Sequence, residues 1–127
     1  MTSILLVFLG AGLGGVARHG VNVASLRVFG PGFPWHTLAV NVAGSLAMGL
    51  LAGWLALRAD WTASAEVRLF AATGLLGGFT TFSAFSLDAW LLWERGEAGL
   101  AAAYVLASVA ASLAGLGLGL AAMRGLT

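Results

Sequence analysis

Hydrophobic positions along this chain form long unbroken runs separated by short polar clusters. Asp, Glu, Lys and Arg are missing from Met1–Ala17, Val28–Leu57, Leu69–Leu87 and Ala98–Met123. A helical crossing of a bilayer takes about 20 apolar residues, so each run predicts a transmembrane helix. The expected spans are approximately 3–26, 35–57, 65–93 and 98–123, which use nearly all of the 127 residues. The expected fold class is therefore all-α and membrane-embedded, one four-helix domain over residues 1–127.

The connections carry matching signals. Gly30, Pro31, Gly32 and Pro34 punctuate the first turn, since neither residue type continues a helix well. Trp35, Trp90 and Trp93 suit the interfacial aromatic belt. Arg58 to Glu66, with Asp60, Trp61 and Thr62, reads as an exposed linker, and Glu94, Arg95, Gly96 and Glu97 as a tight charged turn. In the first span Gly10, Gly14, Gly15 and Ala17 are closely spaced small residues, as are Gly115 and Gly119 in the fourth. Such spacing lets membrane helices approach each other.

The third span departs from this pattern. The stretch TGLLGGFTTFSAFSLD, Thr73–Asp88, holds Gly74, Gly77 and Gly78, hydroxyls at Thr80, Thr81, Ser83 and Ser86 beyond the opening Thr73, and phenylalanines at 79, 82 and 85. As one straight helix the span would be roughly 43 Å long at 1.5 Å per residue, longer than the hydrocarbon core needs. The expectation is a helix broken at its centre, over Gly77–Thr80. A break frees backbone carbonyls, which at membrane depth must be buried or satisfied by an ion or water. A cation held by main-chain oxygens is the natural occupant.

Composition and charge narrow the function. The chain is 60% hydrophobic and 9% charged, against roughly 25% charged in ordinary globular domains. It has no cysteine, hence no disulfide framework, and a net charge of +1 points to no nucleic-acid partner. The first span lacks a basic leader region and reads as a retained helix. All six cations are arginines. Arg58, Arg68 and Arg124 fall on one side of a four-span topology, Arg27, Arg95 and Arg18 on the other. Orientation follows an excess of Lys and Arg on the cytoplasmic side. The tie predicts insertion both ways round.

No carboxylate, histidine or lysine falls at the centre of a span, whereas proton-coupled transporters place ionisable groups there. No His/Glu cluster suits a catalytic metal, and enzyme is the weakest class. What remains is a neutral polar set. Thr37, Asn41 and Ser45 share one face of the second helix; Tyr104, Ser108 and Ser112 share one face of the fourth. Each has two readings. Asn41 bonds between helices, or offers its amide to something passing. The serines bond back to their own helix, or form a polar track. Phe82 and Phe85 face lipid or core, or present positive ring edges to an anion. Arg18 snorkels to the headgroups, or draws anions to an entrance and holds helix ends together. Donors and ring edges without a carboxylate suggest a small dehydrated anion. The rival readings are a small four-helix multidrug-type exporter, which needs a buried glutamate that the first span lacks, and a non-transporting membrane assembly protein. Chloride and fluoride are not separated by residue type.

The segment GGFTTFSAF resembles the TTFS-centred signature of the Fluc/CrcB fluoride channel family, supported by GLGGVAR ending at Arg18 and HTLAVNVAGS around Asn41. The resemblance covers the whole chain. It implies an antiparallel, dual-topology homodimer in a bacterial inner membrane that exports fluoride passively. It also implies an anion pathway along Asn41, Thr81, Phe82, Ser83, Phe85, Tyr104, Ser108 and Ser112. Arg18 and Asp88 match vestibule or structural positions. Gly77 and Thr80 match positions whose main-chain oxygens hold a structural sodium ion at the dimer centre. One departure is Ala84, where the family motif usually carries a threonine.

Overall fold

A computed structural model of the chain describes residues 1–58 and 62–126. Asp60 and Trp61 of the expected linker lie outside the described residues. The elements are α1 (Thr2–Phe29), α2 (Trp35–Ala56), α3 (Ser64–Val67), a π-helical segment (Arg68–Leu76), α4 (Gly77–Phe79), α5 (Phe82–Glu94) and α6 (Ala98–Arg124). The segment from α3 to α5 forms one candidate span, Ser64–Glu94, so four helical spans are long and apolar enough to cross a membrane. The first span runs to Phe29, twelve residues past the end of its charge-free run at Ala17, and the third extends beyond its run at both ends. The chain is an all-helical, multi-pass membrane protein.

Turn chemistry fixes the ends. Gly30 stops α1 with φ 71° and donates to the Leu26 carbonyl. That backbone region is one glycine enters without a Cβ penalty. Gly96 (φ 78°) closes α5: its N–H reaches the Trp93 carbonyl while Glu97 N–H reaches Leu92. This pair of bonds is the glycine-terminated helix stop that satisfies the last carbonyls. Arg95 adds a bond to the Gly32 carbonyl (3.0 Å) and an ion pair with Glu97 (3.1 Å), tying the first and third connections together.

The helices pack in two pairs, α1 along the π segment and α4, and α2 along α6, with α5 joining α6. Both main seams are glycine seams. A Cβ on Gly14 would run into the Leu75 carbonyl and the Phe79 amide nitrogen, and one on Gly119 into the Leu46 carbonyl. Backbones this close exchange dispersion contacts that lipid cannot replace. A small aromatic core, Phe85, Leu92, Ala101 and Tyr104, lies between α5 and α6, with Phe33 packed on it. Elsewhere the apolar side chains, such as Phe8, Leu13, Leu106 and Leu118, stand exposed on the surface, as lipid-facing residues do.

The third span breaks, but later than expected. Gly77–Phe79 still forms a helical turn, and the extended residues are Thr80 (φ −83°, ψ 161°) and Thr81 (φ −156°, ψ 117°). Both are β-branched, which favours extended backbone. Ahead of the break nine residues wind as π-helix, a form common at functional sites.

Candidate functional site

Every strand of the site converges on Thr81. Its N–H donates to Asn41 Oδ1 at 2.8 Å, and its carbonyl accepts from Asn41 Nδ2 at 3.0 Å. In a continuous helix that N–H would bond the Gly77 carbonyl; here the side chain of α2 takes it. Thr81 Oγ1 accepts the N–H of Ala84 at 3.2 Å and so caps α5. Ser83 Oγ sits 3.3 Å from the same hydroxyl. The neighbouring Thr80 carbonyl accepts from Arg18 Nη1 at 3.4 Å, while its hydroxyl returns to Leu76. Arg18, expected toward the end of the first span, thus stands beside the break.

Beside the break is an open groove of about 370 Å³. It is lined by Asn41, Thr80, Thr81, Phe82, Phe85, Ser108 and Ser112, with Gly44 and Ser45 on the α2 wall and Met48, Leu113 and Leu116 toward its apolar end. Seven residues singled out in the sequence for the anion pathway or the cation clamp therefore come together on one surface. A Cβ on Gly44 would strike the Thr80 side chain, so glycine is what lets α2 approach the break.

The two phenylalanines differ. Their ring centroids are 5.3 Å apart and tilted by 49°, but Phe82 is 78% exposed and Phe85 only 9%. Phe82 projects from the surface of the chain; Phe85 packs against Tyr104, 5.4 Å between centroids. Ser108 is buried, and its hydroxyl has no hydrogen-bond partner among the described residues. An unpaired buried hydroxyl is costly and is a ready donor.

Asp88 and Tyr104 lie behind the groove. Tyr104 is fully buried, Thr37 1% exposed, and their hydroxyls donate to the same carboxylate oxygen, Asp88 Oδ2, at 3.2 and 2.6 Å. This joins α2, α5 and α6 at one anion. Sequence reasoning set Thr37 on the Asn41 face but gave it no partner. Asn22, His19 and His36 were also left without a place; they line a second cavity of about 310 Å³ with Arg18.

The family described as CrcB-like protein, Camphor Resistance (CrcB), matches residues 5–120. A protein of Rhodopseudomonas palustris (strain BisB5) named fluoride-specific ion channel FluC is 59% identical over 123 residues, 97% of this chain and 98% of the relative. Proteins of the same name are 58% identical in Methylobacterium nodulans, covering 98% of each chain, and 57% identical in Beijerinckia indica, covering 100% of each.

Proposed function

Because the chain belongs to the CrcB-like protein family, we propose that it is a fluoride-specific ion channel, passing fluoride down its electrochemical gradient out of the cytoplasm. The observation that carries the mechanism is the groove at the break. Phe82 and Phe85 bring positive ring edges, and Thr81 and Ser108 bring hydroxyls, to a surface whose lining includes no carboxylate. A small anion leaving water needs short donors and no fixed negative charge. Ser112, further along α6, continues the hydroxyl line, and Ser83 extends it on the exposed side of α5.

Asn41 holds this surface in place. With both amide atoms on Thr81, it fixes the extended residue beside the groove that Asn41 also lines. Tyr104, through Asp88 and Phe85, braces the wall from behind.

The assembly we propose is an antiparallel homodimer in a bacterial inner membrane. Supporting it are the exposed Phe82 ring, an open groove that one protomer leaves unfinished, and the near-balance of arginines between the two sides. A structural sodium ion at its centre fits the residues present. Gly77 is exposed on the protomer surface, and its carbonyl loses the Thr81 N–H to Asn41. Neutral main-chain oxygens at Gly77 and Thr80 are hard donors suited to a monovalent cation, the Thr80 carbonyl through the lone pair that its Arg18 contact leaves. Two per chain call for a second copy to complete a shell. When bound, such an ion would pin the two breaks together.

The test is fluoride resistance in a bacterium stripped of its own fluoride exporters. The chain restores growth in millimolar fluoride; a culture as sensitive with the protein in its membrane as without it would overturn the reading.

A further inference from the structure

The second cavity lies between the α1, α2 and α5 walls and shares Thr81 with the groove. Its lining is Gly15, Arg18, His19, Asn22, His36, Thr37, Val40, Thr81 and Ala84. It is the more polar of the two cavities, and among the described residues neither imidazole has a hydrogen bond or ion pair. Asn22 Oδ1, buried against it, is an acceptor without a donor.

The charged and titratable groups facing this space are few. From α1 come Arg18 and His19, and from α2 His36. The nearest acid by chain position on α5, Asp88, does not line the cavity and is held by Thr37 and by the buried Tyr104 of α6. Nothing acidic in the lining offsets a gain of positive charge.

We propose that His19 and His36 form a proton-operated collector for fluoride, feeding the groove through the Thr81 end of the cavity. This rests on the channel reading and deepens it. Histidine is the side chain that changes charge between pH 5 and 8. With both imidazoles neutral, Arg18 is the single cation of the cavity. A protonated imidazole would add a cation to that lining and carries two N–H donors. A cleft of one sign concentrates counter-ions and speeds their capture. The device raises fluoride access on whichever side is acid. In an antiparallel dimer each side of the membrane presents one such cavity.

The experiment is current recording from the intact protein in planar bilayers, with fluoride as the probe and bath pH stepped from 7.5 to 5.5. Neutral hydrogen fluoride carries no current. For the wild type at sub-saturating fluoride, current rises about threefold or more at the acid pH. The rise shrinks in 1 M background salt, where the Debye length falls to about 3 Å. It also shrinks at saturating fluoride, where access no longer limits. The H19Q/H36Q variant shows no rise. A wild-type current indifferent to pH at sub-saturating fluoride overturns the proposal, as does a rise that persists at saturation or in H19Q/H36Q. Absence of any fluoride current at either pH would instead overturn the channel reading itself.

Discussion

The carboxamide of Asn41 holds Thr81 at both ends of the residue, accepting its N–H at 2.8 Å and donating to its carbonyl at 3.0 Å. One side chain of α2 thereby replaces the helical bonding that the third span gives up. Asn41→Asp keeps an acceptor for the N–H but turns an oxygen toward the Thr81 carbonyl. We expect fluoride flux to fall at least about tenfold and the folded state to lose about 1–3 kcal/mol. Flux from reconstituted protein and unfolding in detergent check the two effects separately.

Phe82 and Phe85 should respond differently to the same change. Phe82 stands out of the protomer, so Phe82→Ile alters protomer stability by no more than about 0.5 kcal/mol while sharply reducing flux. Phe85 is buried against Tyr104, and Phe85→Ile loses flux and about 1–2 kcal/mol together. Equal stability losses at the two positions would contradict the geometry.

Asp88 gathers Thr37 and Tyr104 on one oxygen. Thr37→Val and Tyr104→Phe each remove one donor to a charge, at about 1–2 kcal/mol apiece. Because they share an acceptor, the double variant departs from the sum by about 0.5 kcal/mol or more. Strict additivity in a double-mutant cycle would dissolve the junction.

The glycine seam makes a paired prediction. A Cβ at Gly14 collides with the main chain of Leu75 and Phe79, whereas one at Gly12 meets nothing within 4 Å. Gly14→Ala should therefore reduce the yield of monodisperse protein and lower its melting temperature, and Gly12→Ala should not. Size-exclusion profiles and thermal scans of the pair decide it.

These residues also show what the sequence made legible. Four charge-free runs placed four spans because the bilayer rewards little else than length and apolarity. Stripes at i and i+4 put Asn41 and Ser45 together on α2, and Ser108 and Ser112 together on α6, and both pairs line the groove, since helix periodicity is local. The break was expected at Gly77–Thr80 and lies at Thr80–Thr81. Gly74 and Gly78 are needed where α1 passes within backbone contact, and they stay helical. The extended residue is set by a side chain forty positions away, at Asn41, which no local signal reveals. Arg18 followed the same rule: its position in the chain left open a headgroup contact or a tie between helix ends, and its partner, the Thr80 carbonyl, is sixty-two residues distant.

The central claim, a fluoride path built on Asn41, Thr81 and the two phenylalanines, is tested most directly by ion efflux from liposomes holding the purified protein. The account predicts rapid fluoride efflux, little chloride efflux from the same vesicles, and loss of the fluoride signal in Phe82→Ile. Efflux of neither ion, or chloride leaving as fast as fluoride, would contradict it.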